Sequence, residues 1–174
     1  MAGAVIERVT VTLTEEQITY CVKIARRRQE SAERHARPGG NGGPVCGSAA
    51  LDIHKMGVFG ECAAYLWLKP IQWHRFQESG LSTLPDLADF IDVKTRKFSW
   101  HQLIVQKADP DEWAYLLVNS ERHPDYEIVG WLWGHEAKAR GTLRDPVGGR
   151  EAFFVPERAL RDPLLLKELW DGKR

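Results

Sequence analysis

Apolar and polar positions alternate along Val9-Thr10-Val11-Thr12-Leu13, which predicts a short strand with one face turned inward. Thr14 followed by Glu15, Glu16 and Gln17 has the composition of a helix N-terminus with a capping box, and a helix is expected from there to Arg34. The later half of that helix carries Lys23, Arg26, Arg27, Arg28 and Arg34, with Glu30 and Glu33 within pairing distance, and reads as a solvated face. Pro38 to Pro44 (PGGNGGP) cannot hold a helix or a central strand and is expected to be a flexible connection. From about Ala49 to Leu68, Met56, Phe59, Ala63, Leu66 and Trp67 recur at helical intervals, so a second helix is expected, with Glu61 on a definite side.

Beyond Pro70 the period shortens. Ile71 to Phe76 (IQWHRF) reads as a strand, Glu78 to Leu84 as a loop, and Phe90 to Phe98 (FIDVKTRKF) as the next strand. Leu103–Val105, Trp113–Asn119 and Tyr126–Trp133 are further apolar runs, separated by Asp-Pro and His-Pro turns. Glu136 to Arg140 predicts a brief helix, Asp145 to Gly149 a loop, and Ala152 to Val155 an edge strand. Pro156 to Trp170 predicts terminal helical turns, with Leu160, Leu164, Leu165, Leu166 and Leu169 turned to the core. The expected class is α/β: a central mixed β-sheet flanked by helices, with an N-terminal helical extension. A single domain is expected over 1–174, with 1–48 as N-terminal strand, helix and Gly-rich loop, 49–140 as the catalytic core, and 141–174 as C-terminal strand and helical turns.

Composition narrows the setting more than the chemistry. With 43% hydrophobic and 28% charged residues and seven Trp, the chain has the makeup of a folded domain. No apolar run approaches the roughly 20 residues that span a bilayer, so no membrane partner is expected. Cys21, Cys46 and Cys62 include no CxxC pair and suggest neither a disulfide framework nor a zinc ribbon; a reducing cytoplasm is the simplest expectation. The formal net charge is zero, which disfavours a non-specific nucleic-acid coat protein but leaves room for a local basic groove. The six His show no HxH or HxxxH spacing, and neither a phosphate-binding GxxxxGK[ST] loop nor a GxSxG elbow is present.

The densest chemistry lies between Leu84 and Thr95. Residues two apart in a strand share a face, so Asp92 and Lys94 point together while Ile91 and Val93 face the opposite layer. Asp86 lies six residues before Asp92, about 20 Å away in a straight strand, and shares a site with it only if the chain bends between them. Pro85 and the Asp86-Leu87-Ala88-Asp89 stretch supply turn chemistry. Magnesium takes hard oxygen ligands and is commonly held by one or two carboxylates together with substrate phosphate, a role that suits Asp86 and Asp92. A lysine beside it stabilises charge developing on phosphorus or orients the attacking water, a role that suits Lys94. The competing reading of Asp92 and Lys94 is an exposed ion pair of little consequence, and that of Glu61 an ordinary solvent-facing helix residue.

The series Gly57-x-x-Gly60-Glu61, Pro85-Asp86 and Asp92-Val93-Lys94 resembles the motif order of the PD-(D/E)XK, or restriction-endonuclease-like, nuclease superfamily. The resemblance covers about Gly57 to Gly134; Gly130 to Gly134 (GWLWG) and Phe153 to Pro156 (FFVP) also look similar to small phage-borne members. It implies a mixed sheet flanked by helices and a Mg- or Mn-dependent deoxyribonuclease, a phosphodiester hydrolase. Glu61, Asp86, Asp92 and Lys94 would be its catalytic residues, and Glu61, Asp86 and Asp92 its metal ligands. The gap between Asp86 and Asp92 is shorter than in many members, which makes Asp89 a rival first ligand. Calcium, with its larger and looser coordination sphere, is expected to bind without supporting cleavage.

Arg96, Lys97, Trp100, His101 and Lys107 follow closely and have the makeup of a phosphate-tracking, base-stacking groove. The competing reading is an amphipathic edge strand with lysine stems lying along it. DNA is the expected partner, and a homodimer is compatible with the pattern. The alternatives are a nucleic-acid-binding or assembly protein that keeps the fold without cleaving, and a partner-binding domain with a fortuitous motif.

Overall fold

The computed structural model describes residues 8–34, 47–69, 76, 84–87, 89–146 and 148–172. Seven strands and four helices are ordered along them: β1 (Val9–Thr12), α1 (Glu15–Arg34), α2 (Ser48–Leu68), β2 (Ile91–Arg96), β3 (Leu103–Gln106), β4 (Ala114–Arg122), β5 (Asp125–Trp133), α3 (Gly134–Arg140), β6 (Thr142–Arg144), β7 (Ala152–Val155) and α4 (Pro163–Gly172). The expected Pro38–Pro44 connection and the Ile71–Arg75 part of the expected strand lie outside the described residues. Phe76, at the end of that stretch, is buried and belongs to no strand.

The class is mixed α/β, but the strands form two sheets instead of one. The larger has the order β1-β5-β4-β2, with β2 and β4 parallel and the other pairs antiparallel; the smaller has the order β3-β7-β6. A parallel β2–β4 pair needs a crossover, and β3 supplies it by leaving the first sheet to join the second. Ala152–Val155 is accordingly the central strand of the smaller sheet, not an edge, because Thr142–Arg144 adds a strand that the polar TLR triplet did not announce.

Strand alternation sorts the core into two layers. Ile91, Val93, Leu116, Val118 and Ile128 pack with Ile24, Val58, Cys62 and Ala63 of α1 and α2. Tyr115, Leu117, Val129 and Leu132 pack on the other face with Leu103, Val105 and Val155. The N-terminal segment is part of this core, since β1 pairs with β5 and α1 lies along α2. The Thr14 capping box is present: the Gln17 N–H donates to Thr14 Oγ1 at 3.3 Å, and the Thr14 N–H to Gln17 Oε1 at 2.8 Å. Near the C-terminus the expectation for leucine fails in part. Leu160 and Leu166 are buried, but Leu164, Leu165 and Leu169 face outward, because one face of α4 is enough to cover β5.

Gly60 fixes how closely α2 approaches the sheet. A Cβ at this position would lie 1.9 Å from Thr95 Oγ1 and 2.8 Å from Thr95 Cβ, so only glycine lets the helix backbone rest on β2. The next residue of the helix is Glu61.

Candidate active site

β2 is an edge strand, and the chain before it folds back along its open side. Leu87 and Ile91 exchange backbone hydrogen bonds of 2.8 and 3.0 Å, the bend that Asp86 and Asp92 need in order to meet. Asp86 sits in this fold-back, not at the end of a strand paired with β2; the strand beside β2 is β4. Its Oδ2 accepts the outward-pointing Val93 N–H at 2.8 Å. Asp89 is exposed in the turn, and it is Asp86 that the fold-back brings to Asp92.

Asp92 and Lys94 lie on the face of β2 that looks towards the second sheet. Lys94 Nζ is 2.6 Å from Asp92 Oδ2 and 3.6 Å from an Asp109 carboxylate oxygen, with its charge 5.3 Å above the Tyr115 ring. The side chains of Asp92 and Lys94 are only 14% and 29% exposed, so this is not the solvated surface pair of the competing reading. Lys94 is thus the cation that faces the buried Asp92 Oδ2 directly.

Electrostatics follows from crowding acids at a poorly solvated edge. Burial, then repulsion from Glu61 and Asp92, pushes the Asp86 carboxyl well above the usual carboxylate range, against the opposing pull of the Val93 N–H and Arg28. Burial also raises Asp92, although Lys94 and a hydrogen bond with Asp86 work the other way. Burial alone would lower Lys94, but Asp92 and Asp109 outweigh it and the ammonium is held more firmly protonated than usual. Burial, with Asp109 and Asp92 nearby, also keeps the Tyr115 phenol protonated.

Glu61 is buried rather than solvent-facing. Its two oxygens each accept a guanidinium N–H of Arg28, at 2.6 and 2.5 Å. Arg28 is therefore not on the solvated face expected for α1. It continues the buried row Cys21, Ile24 and Ala25 at helical spacing, a signal that the sequence carries but that points to a buried partner only once α2 is in place. Asp109 was also missed; it lies in the turn after β3, where its carboxylate caps the Gln106 N–H, and only the three-dimensional fold brings it to Lys94.

Among the described residues no three His, Cys, Asp or Glu side chains converge as a metal-holding group, so the expected three-carboxylate set is not assembled. With Glu61 engaged by Arg28, Asp86 and Asp92 remain. These two fit a magnesium-like ion in their chemistry. Both are hard oxygen donors, and burial raises both towards protonation, so a cation held between them would offset the cost of their ionised forms.

Of the expected nucleic-acid contacts, Arg96 lies two residues beyond Lys94 on the same strand face, with Lys97, Trp100 and His101 in the turn that follows. Lys107 is set apart, paired with Glu151 at 2.6 Å on the second sheet. No helix among the described residues is long and apolar enough to cross a membrane. Comparison with family models, curated proteins and solved structures found no match to this chain.

Proposed function

We propose that this chain is a magnesium-dependent nuclease that hydrolyses DNA phosphodiester bonds on a restriction-endonuclease-like core. The observation that carries the reading is the half-buried Asp86, Asp92 and Lys94 cluster at the edge of β2, where two crowded carboxylates lie beside an ammonium held protonated.

Asp86 and Asp92 would hold the ion, which when bound supplies polarisation of the phosphate and a lowered pKa for its water. Lys94, kept cationic by Asp92 and Asp109, stabilises the charge that grows on the phosphoryl oxygens and is poorly suited to remove a proton. Asp109 and Tyr115 hold Lys94 in place from the far side. Arg28 fixes Glu61 behind Asp86, where the Glu61 charge raises the proton affinity of Asp86 and so strengthens its demand for a cation.

A second reading is favoured by the Arg28 contact, which withholds Glu61 as a third ligand: a DNA-binding or assembly protein of the same architecture that does not cut. Nicking of plasmid and of a labelled single-stranded oligonucleotide in magnesium, manganese and calcium, alongside calorimetric titration with manganese, separates the two. Wild type is expected to nick in magnesium and manganese but hardly in calcium. Lys94→Gln is expected to lose on the order of 10²–10³-fold in rate, as for removal of one charge-stabilising donor, while still binding manganese. Asp92→Ala loses both. Nicking by Lys94→Gln at the wild-type rate overturns the assignment, and DNA binding by wild type with no nicking in any metal selects the second reading.

A further inference from the structure

The turn between β2 and β3 has features that the hydrolytic cluster does not use. Trp100 is 74% exposed, yet its ring is held parallel to Phe98, with an interplanar angle of 4° and centroids 5.7 Å apart. His101 stands edge-on to both rings, at 4.2 and 5.1 Å. The His101 N–H donates to the Phe98 carbonyl at 3.0 Å, and the Ser99 N–H to Glu121 Oε2 at 2.8 Å, so the backbone beneath the rings is fixed. A largely exposed indole held by two neighbouring rings on a braced turn is a stacking surface organised before anything binds it.

Arg96 supplies the second observation. It lies two residues from Lys94 on the same face of β2, about 7 Å further along the strand. Its Nε is buried with no hydrogen-bond partner, and no carboxylate among the described residues pairs with its guanidinium. Burial alone lowers its pKa, which marks a cation without a counter-charge. His101 Nδ1 is likewise buried without a partner, although Glu121 lies within electrostatic reach. An unpaired guanidinium beside a flat aromatic surface matches a nucleotide whose base is free of its complement.

We infer that Arg96, Phe98, Trp100 and His101 form a subsite for one unpaired nucleotide, so that the chain takes single-stranded DNA, or the unpaired stretch of a longer DNA, into the site beside Lys94. A paired base hides both of its faces in the stack and cannot lie on Trp100. The inference rests on the nuclease reading for its orientation, since the subsite leads along β2 from Arg96 to Lys94, but the binding that it predicts needs no cleavage.

Fluorescence anisotropy in EDTA, with a labelled oligothymidylate and a blunt duplex of equal length, tests it on the full chain. Wild type is expected to prefer the single strand. Trp100→Ala is expected to weaken single-strand binding roughly 5- to 140-fold, the loss of one stacked base, with little change for the duplex, and Trp100→Phe to recover most of it. Arg96→Gln should reduce the slope of log affinity against log salt by about 0.7, the share of one single-strand phosphate, whereas Arg96→Lys keeps the slope. Equal binding of both DNAs, or Trp100→Ala binding like wild type, overturns the subsite even if the protein nicks plasmid. Stacking-dependent binding by a protein that cuts in no metal upholds the subsite and overturns the nuclease.

Discussion

At Asp86 the chain places a carboxylate where burial and two neighbouring acids oppose its ionisation and outweigh the Val93 N–H, Arg28 and Lys94, which favour it. Its folded pKa is well above the roughly 3.9 of an unfolded Asp, so between those values the folded state binds more protons than the unfolded one. Stability from this group is present at low pH and is lost as pH rises through the raised folded value. Asp92 adds to the trend, and Lys94 titrates well outside the window. In EDTA the melting temperature of wild type should therefore fall from about pH 4 towards neutrality beyond the trend of other groups. Asp86→Asn, which keeps an acceptor for Val93, should flatten that fall and raise stability at neutral pH by roughly 0.5–2 kcal/mol while abolishing activity. Thermal unfolding across pH measures both, and an Asn variant less stable than wild type at neutral pH would contradict the electrostatic account. Much at this scale was legible in the sequence, because strand alternation alone puts Asp92 beside Lys94. Strand parity also favours Asp86 over Asp89, which lies three residues from Asp92, but the fold-back that brings Asp86 there is one that local turn residues permit and do not specify.

Two contacts between elements decide how the helices present the site. The first joins α1 to α2, where Arg28 and Glu61 are 19% and 7% exposed at their side chains. Arg28→Ala removes the bidentate guanidinium from a buried carboxylate and should cost about 3–5 kcal/mol in urea unfolding. Replacing both residues, as Arg28→Met with Glu61→Leu, should recover most of that loss, since the pair's own desolvation cost disappears with it. A double variant as unstable as the single one would mean that the pair stabilises on its own account. The second contact is Gly60 on Thr95. Alanine is the better helix former by about 1 kcal/mol, but the clash with β2 should outweigh this and leave Gly60→Ala destabilised by roughly 1–3 kcal/mol. Adding Thr95→Ala should return part of it, as the nearest atom is removed and Cβ remains; additive losses in chemical denaturation would contradict the close-approach explanation. The helices themselves were readable from period and capping. Their mutual contacts were less so, because a charged residue inside an apolar row, as at Arg28, is equally consistent with a solvent-facing stem until the partner helix is in place.

For the molecule as a whole, the sequence conveyed a mixed α/β chain and most of its strands, yet it did not divide them between two sheets. Leu103–Val105 and Trp113–Asn119 read alike as apolar runs, and nothing local in LIV says that it leaves the first sheet to pair with Phe153 and Phe154. That partition depends on long-range pairing and on closing the parallel β2–β4 crossover. It leaves β2 as an outer strand, and an outer strand is a template on which a second chain can add by backbone pairing. Along this rim Ile91 is engaged by Leu87, and Val93 donates to Asp86. The carboxylate proposed for chemistry is therefore also expected to guard against self-association, and the two duties would separate by substitution. Asp86→Asn retains an acceptor and should stay monodisperse, whereas Asp86→Ala uncovers the Val93 N–H and should scatter more light on concentration or mild heating; equal scattering by the two variants would show that the fold-back at Leu87 seals the rim unaided.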